Sequence, residues 1–322
     1  MTALVDAEED LQFFSHKLVV PKRDEDVPGF VKLIRTTPIV RQFERRNSVF
    51  ADWRDDGPDT ARLCIEHDLE LWHGDKFIKD EEDREATAAV MLKYAVEIKN
   101  LFIQIASRSS FPQIGWIDFS AFSNKVELPD ARGQGAFGAS QVDTQFIAAN
   151  NGTHPVPGMD PSILMRYKFV EILARIAQSK YTLQKVVPTT AEAVEKLMQD
   201  VIVARYQWEP WQDYREEVCH CLEVNDVLST NIDGIRALME HYYAPRKTYC
   251  NKKDILSLFT KDSNVMIGEK EATYCFGMSK MTVVRESVTP KQYDKIELPE
   301  LCEMICRVAD TKFKAAGMLT FA

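Results

Sequence analysis

Few groups of reactive side chains stand close together in this sequence of 322 residues. The best candidate for a metal site is Cys219-His220-Cys221, because thiolate and imidazole are ligands that zinc prefers. A structural zinc site needs four ligands, and no second Cys/His pair lies nearby in sequence. Cys64, His67 and His73 are equally isolated. The sequence therefore predicts no metal ligands.

A second candidate is the stretch 133–138, Gly-Gln-Gly-Ala-Phe-Gly, which matches a phosphate-cradling loop. Such a loop binds phosphate when it leaves a buried strand and opens a helix, whereas residues 127–132 form a polar linker. A flexible joint is the interpretation we favour. The sequence also lacks a nucleophile elbow, a kinase signature and a metalloprotease helix, although catalytic triads assemble from distant residues. We expect no catalytic residues and no cofactor, and a cryptic enzyme is the least favoured alternative.

The elements that would position any site are nearly all helices. One sequence segment, which we call the repeated phrase, occurs twice in similar form. Leu164–Tyr181 aligns without a gap with Ile296–Phe313, 132 residues further on. The identical pairs are Glu171/Glu303, Arg175/Arg307, Ala177/Ala309 and Lys180/Lys312. Each copy has one β-like residue, a short gap, and then a helix with apolar residues at i, i+3, i+4 and i+7. This is the pattern of the second half of an EF-hand, and its repetition predicts two related lobes.

An EF-hand loop binds calcium through oxygens at positions 1, 3, 5, 7, 9 and 12. Position 8 is apolar, and the exiting helix begins its apolar face five residues later. That spacing places four hands, on Ile117 and Phe122, Leu164 and Phe169, Cys250 and Ile255, and Ile296 and Leu301. Position 12 then holds Ala121, Lys168, Asp254 and Glu300, and no loop has a carboxylate at positions 1, 3 or 5. We therefore expect no calcium binding at cellular concentrations. Ordinary helical hairpins without EF-hand ancestry are the alternative.

Four segments carry a resemblance to a known family. They are Val142–Asn150 (VDTQFIAAN), Tyr167–Arg175 (YKFVEILAR), Leu222–Leu228 (LEVNDVL) and Tyr274–Val283 (YCFGMSKMTV). They resemble segments of calmodulin-like EF-hand-pair proteins of the ciliary and flagellar axoneme of protists, over about 83–313. The resemblance implies a structural protein of the axonemal microtubule lattice, or of a complex attached to it, with tubulin or other axonemal proteins as partners. A calcium-responsive regulatory protein is the second hypothesis, which the departure of the loops from the calcium pattern weakens.

The composition restricts the possible partners and compartments. A formal net charge of −9 does not favour binding to nucleic acid. No stretch approaches the roughly 20 apolar residues of a membrane span, and the N-terminus lacks a signal-peptide or transit-peptide pattern. Seven scattered cysteines fit a reduced compartment. We expect a cytoplasmic protein that does not bind membranes, and the resemblance places it at the axoneme.

Residues 1–80 are predicted to form an extended arm with one or two short helices. Basic side chains there alternate with apolar ones, which suits an acidic protein surface such as that of tubulin. The candidate partner-binding residues are Arg35, Arg41, Arg45, Arg46 and Trp53. In the alternative, the apolar residues dock on the protein's own lobes and the basic residues face water. The predicted fold is mainly α, with this arm, two EF-hand-pair-like lobes at 83–181 and 224–313, and a helical linker at 182–223.

Overall fold

A computed structural model describes residues 41–130, 137–151, 156–243 and 249–315. The chain divides into two units, Met1–Gln42 and Phe43–Ala322. Only Arg41 and Gln42 of the first unit are among the described residues, so every element below belongs to the second unit. The described residues are mainly helical, as the apolar periodicity predicts. None of their helices is long and apolar enough to cross a membrane.

Fourteen α-helices lie in the described part of the chain. They are α1 (Pro58–Leu71), α2 (Gly74–Phe77), α3 (Glu81–Lys93), α4 (Ala95–Ala106), α5 (Trp116–Lys125), α6 (Ala139–Asn150), α7 (Arg166–Ala177), α8 (Thr190–Lys196), α9 (Trp211–Tyr214), α10 (Leu222–Thr230), α11 (Ile232–His241), α12 (Lys252–Ser257), α13 (Glu269–Met278) and α14 (Leu298–Ala315). Four of them, α7, α8, α9 and α12, continue into π-helical turns at Gln178–Thr182, Leu197–Val203, Arg215–Cys219 and Leu258–Asp262. Short 3-10 turns occur at Arg45–Asn47 and Pro290–Gln292.

Two single residues divide helices that the apolar pattern predicts as continuous. The pattern runs unbroken from Glu82 to Ala106, but Tyr94 has φ −101° and ψ 25° and separates α3 from α4. The sequence likewise predicts one helix from Val224 to Tyr243, but Asn231, with φ −103° and ψ 8°, separates α10 from α11. The break at Tyr94 lets α4 enter the core, while α3 buries only two residues.

Four loops are joined in pairs by short antiparallel backbone contacts. Strand β1 (Cys250–Asn251) precedes α12 and pairs with β2 (Lys295–Ile296), which precedes α14, so that Cys250 lies opposite Ile296. Ile114 and Leu164, before α5 and α7, form an isolated bridge. Each of their N–H groups donates to the other's carbonyl, at 2.8 and 3.0 Å. A further bridge joins Tyr243 to Cys250.

Helices α4 and α7 lie at the centre of the core. Nine of the twelve residues of α4 and eleven of the twelve of α7 are buried. Helix α7 packs against α1, α6 and α8, and α4 packs against α1 and α13. Burial of α7 takes Arg166, Lys168 and Glu171 out of water. A buried charge is costly unless it is paired, so the surroundings of α7 must supply opposite charges and carbonyl oxygens.

The prediction of an extended arm is wrong for residues 50–80. Helix α1 packs against α4 and α7, and Phe50 and Trp53 belong to the same buried cluster as residues of both predicted lobes. One face of α1 is buried at i, i+3, i+4 and i+7, but the last of these residues is Asp68, so the apolar pattern is too short to recognise. Residues 1–40 lie outside the described residues. One buried cluster spans the two predicted lobes, 83–181 and 224–313, and the predicted linker, 182–223. The core therefore marks no boundary between them, and the division stays a prediction.

Candidate functional site

The predicted partner-binding residues fall into different environments. Arg35 lies outside the described residues, and Arg41 is exposed. Arg45 and Arg46 are exposed on the 3-10 turn. Arg46 Nη2 lies 3.2 Å from a carboxylate oxygen of Glu44, and a pair so open to solvent contributes little to stability.

Trp53 is only 4% exposed and offers almost no surface to a partner. The guanidinium of Arg215 stacks on its ring at 4.3 Å from the centroid. Nearby, the N–H of Val49 donates to Asn225 Oδ1 at 3.0 Å. Between Val49 and Trp53 the apolar residues therefore dock on the protein's own helices, as the alternative interpretation of the sequence expects, while Arg45 and Arg46 face water.

His220 lies inside an aromatic cluster rather than in a metal site. Its ring stacks on Phe43 (5.8 Å between centroids) and contacts Phe50 (4.8 Å) and Trp53 (6.1 Å). Burial lowers the pKa of His220 to about 4, helped by the positive charge of Arg215. A neutral imidazole packs among rings at lower cost than a charged one, so the ring of His220 joins the chain from Phe43 to Trp53 to the end of the π-helical turn that follows α9.

A first buried ionic network is centred on Asp56. Lys99 Nζ on α4 donates to its carboxylate at 2.6 Å, and Thr282 Oγ1 donates at 2.5 Å. Gln212 Nε2 donates at 3.0 Å, and Arg215 Nη1 lies 3.6 Å away. The partners of this one carboxylate come from three separate parts of the chain, since Gln212 and Arg215 lie on one helical segment, so Asp56 holds the three parts together.

A second buried network is centred on Arg166, the first residue of α7. Its guanidinium donates to both oxygens of Asp68 on α1, at 2.6 and 3.3 Å, and to the carbonyls of Val283 and Val284. Its backbone N–H donates to Glu286 Oε1 at 2.6 Å. Arg166 Nη1 also lies 3.5 Å from Glu286 Oε2, so two carboxylates share one guanidinium away from water. Burial, reinforced by the charge of Asp68, raises the pKa of Glu286 to about 7 although Arg166 opposes the rise.

The repeated phrase places the same ion pair on two helices. Arg175 Nε donates to Glu171 on α7 at 2.7 Å, and Arg307 Nε donates to Glu303 on α14 at 2.8 Å. Each arginine also stacks on an aromatic ring from an earlier segment, Phe77 for α7 and Tyr214 for α14. The matching contacts extend the similarity of the two copies from sequence to three dimensions.

The first loop has a different register from the one that the sequence predicts. Ile117, the predicted pairing residue, is 81% exposed, and Ile114 makes the bridge to Leu164 instead. Five residues after Ile114 comes Phe119, which is fully buried. The prediction was wrong by three residues because Ile114 and Ile117 are both apolar, and one turn of helix separates them.

The ammonium groups of three lysines donate hydrogen bonds to residues of the four paired loops. Lys280 Nζ donates to Glu300 Oε2 at 2.6 Å and to the carbonyl of Lys295. Lys168 Nζ donates to the carbonyl of Pro161 at 2.7 Å and to Asn150 Oδ1 at 3.1 Å. Lys252 Nζ donates to the carbonyl of Phe111 at 2.6 Å.

The cysteines and histidines that the sequence offers as metal ligands form no metal site in the part of the chain that the structure describes. No set of three or more His, Cys, Asp or Glu side chains there is placed to hold a metal ion. Burial raises the pKa of the Cys64 and Cys250 thiols to about 11, so both are protonated at neutral pH. Residues 133–136 of the glycine-rich stretch lie outside the described residues.

Sequence reasoning did not identify the buried carboxylates or the loop lysines. Asp56, Asp68 and Glu286 each follow another charged or ionisable residue in sequence, and their partners are about 40 to 230 residues away in the chain. Lys280 carries one usable signal, because Ser279-Lys280 directly follows an apolar helix and precedes Met281. A charged residue between apolar neighbours indicates a buried charge with a partner.

A scan of the chain against protein-family models, a search of curated proteins and a search of solved structures each found no match.

Proposed function

We propose that this chain is a non-enzymatic scaffold protein of the ciliary or flagellar axoneme, associated with doublet microtubules or with a complex attached to them. Its framework would be two EF-hand-like pairs whose loops hold no calcium. The observation that carries this framework is the pair of antiparallel contacts between loops, Ile114 with Leu164 and Cys250 with Ile296.

The arrangement around those contacts supports EF-hand-like pairs. Each pairing residue is followed at once by a helix, and the residue five positions later is buried in all four cases. Those residues are Phe119, Phe169, Ile255 and Leu301. A helix also precedes each loop: α4, α6, α11 and α13 in turn. Helix, loop, pairing residue and helix therefore recur four times in the expected order.

The loop residues support a scaffold over a calcium sensor. With Ile114 at position 8, the first loop has Ser107, Ser109 and Phe111 at positions 1, 3 and 5 and Asp118 at position 12. The hydroxyl of Ser109 donates to Asp118, so that carboxylate already has a partner within the loop. Calcium needs six to eight oxygens, several of them charged. The revised register supplies one carboxylate at these positions, as the fourth loop does with Glu300.

The buried networks support a rigid body rather than a hinged sensor. Asp56 and Arg166 each join segments that are far apart in sequence, and a single buried cluster includes residues of both proposed pairs. A protein that binds a regular lattice needs a fixed shape more than a switch. The axonemal assignment rests on the sequence resemblance alone.

Co-sedimentation with purified ciliary doublet microtubules tests the attachment. We expect the full chain to pellet with them and to leave them at high salt, because Debye screening weakens exposed charge pairs. Deletion of residues 1–42 should keep the fold, since the compact unit begins at Phe43, and should weaken pelleting. Deletion of 1–55 would remove the buried Phe50 and Trp53 and is a test of stability instead.

A matched pair of variants separates a specific basic site from bulk charge. Arg45→Glu/Arg46→Glu reverses two exposed charges in the proposed attachment region. Lys261→Glu/Lys270→Glu makes the same change of net charge at exposed positions elsewhere. Pelleting should fall for the first pair and persist for the second. If neither the truncation nor the arginine variant changes pelleting, the attachment lies elsewhere on the protein.

Calcium calorimetry tests the second candidate, a calcium-responsive regulator. A dissociation constant of about 10 μM or tighter lies in the sensor range and would favour that candidate. Absence of heat at millimolar calcium would leave the scaffold as the better interpretation. Failure to pellet with doublet microtubules, with or without calcium, would overturn the axonemal role.

A further inference from the structure

We propose that Lys280 supplies the cation of the fourth loop, with its ammonium group standing where an EF-hand would hold calcium. The inference rests on the EF-hand-like arrangement proposed above and explains how a loop of that shape keeps its form without a metal. It concerns the interior of the loop and is independent of what the protein attaches to.

The partners of the ammonium identify the position. Counting from Ile296 as position 8, Lys295 is position 7 and Glu300 is position 12. A calcium loop presents the backbone carbonyl of position 7 and the carboxylate of position 12 to its ion. Lys280 Nζ donates to those same two groups, the Lys295 carbonyl and Glu300 Oε2. Lys280 itself is only 3% exposed, so the ammonium is an interior group.

The charges also match. Glu300 is fully buried and is the loop's single carboxylate among positions 1, 3, 5 and 12. One ammonium neutralises one carboxylate, whereas a divalent ion would leave an excess positive charge out of water, which is costly. The N–H groups of Met281 and Glu297 donate to the two oxygens of Glu300 at 2.9 and 2.8 Å. The carboxylate is thus fully hydrogen-bonded without a metal.

The second loop has a related arrangement. Lys168 stands at its position 12, and its ammonium turns back to the carbonyl of Pro161 at position 5 and to Asn150 at the end of the entering helix. The acidic ligand is replaced by the cation itself. In both even-numbered loops, therefore, an interior lysine donates to a backbone carbonyl of the loop. The two pairs would keep one conformation at any calcium concentration.

The test is to remove the ammonium and offer calcium in its place. Lys280→Glu puts a second carboxylate beside Glu300, which should make folding depend on a divalent ion. We expect its melting temperature in EGTA to fall by roughly 5–10 °C, because an unpaired buried charge is strongly destabilising. Addition of 10 mM CaCl2 should recover about 2–5 °C of that loss, as expected for a weak site. The melting temperature of the wild-type protein should not change with calcium.

Two further variants serve as controls. Lys280→Met fills the same space without charge, so it should be destabilised but insensitive to calcium. Lys280→Ala removes the ammonium and, unlike methionine, leaves space for an ion beside Glu300, so it should respond to calcium more weakly than Lys280→Glu and replaces that variant if it does not fold. If neither Lys280→Glu nor Lys280→Ala responds to calcium more than the wild-type protein does, the ammonium does not occupy a cation position and the inference is wrong. A calcium response of the wild-type protein would instead overturn the calcium-free scaffold of the proposed function.

Discussion

Replacing Glu303 by Gln should destabilise this protein more than replacing Glu171 by Gln, although the two residues occupy matching places in the repeated phrase. Glu303 accepts from two arginines: Arg215 binds both of its oxygens, at 2.7 and 3.2 Å, and Arg307 binds at 2.8 Å. Glu171 accepts from Arg175 and from the backbone N–H of His73. The difference between the two sites is therefore one buried guanidinium.

The magnitudes follow from what each variant leaves unpaired. Glu303→Gln removes the carboxylate that binds Arg215 through two hydrogen bonds and leaves Asp56, at 3.6 Å, as its more distant charged partner. Arg215 is 3% exposed, and breaking a buried pair costs about 3–5 kcal/mol. Glu171→Gln keeps an acceptor for the His73 N–H and loses one charged hydrogen bond, which costs about 1.5–3 kcal/mol. We therefore expect the free energy of unfolding to differ by about 2 kcal/mol between the variants.

Urea unfolding followed by circular dichroism measures the difference, provided that the slope with urea stays the same in all variants. Glu217→Gln, at an exposed position of the same π-helical turn as Arg215, is the control and should change stability by less than about 0.5 kcal/mol. Equal losses for Glu303→Gln and Glu171→Gln, or a larger loss for Glu171→Gln, would refute the claim that Arg215 depends on Glu303.

Three other predictions concern pH and packing. His220 has a folded-state pKa of about 4, below its ordinary 6.5, so its contribution to stability is present above pH 6.5 and is lost as the pH falls toward 4. After a discount for partial exposure the loss is on the order of 1–2 kcal/mol, and His220→Phe should remove this part of the pH dependence in melting curves. Glu286 behaves in the opposite sense. Its folded-state pKa is raised to about 7, so its contribution to stability is present below pH 4.5 and is lost as the pH rises through 7. Glu286→Gln should flatten this dependence of stability on pH. Trp53→Ala should lower the free energy of unfolding by about 3–5 kcal/mol in chemical unfolding, and an unchanged value would mean that Trp53 is free for a partner.

Much of the local structure could be predicted from the sequence because helices are encoded by neighbouring residues. Apolar residues at i, i+3, i+4 and i+7 predict α7 and α14, and the start of α8 follows from the Thr189 cap, whose side chain accepts the N–H of Glu192. The repeated phrase predicts that Leu164 and Ile296 have matching roles, and both make antiparallel contacts.

Other features depend on which helix faces meet, and no short-range pattern contains that information. The pairing residue of the first loop is Ile114 and not Ile117, because packing buries one of two apolar residues that are a helical turn apart. Trp53 is of a residue type that suits partner binding, but its ring is covered by the ring of His220 and the guanidinium of Arg215. Each outcome was decided by a partner from a distant part of the chain.

By itself, the sequence determined a mainly helical protein, a duplicated helix with its Glu–Arg pair, and loops poor in carboxylates, because each is a property of residues close together in the chain. Only the tertiary structure decided where the charges go. Asp56 and Asp68 look like surface residues in sequence, and their side chains become interior when their partners arrive from far away in the chain. Burial makes a charge costly and pairing offsets that cost, so both depend on the assembled fold.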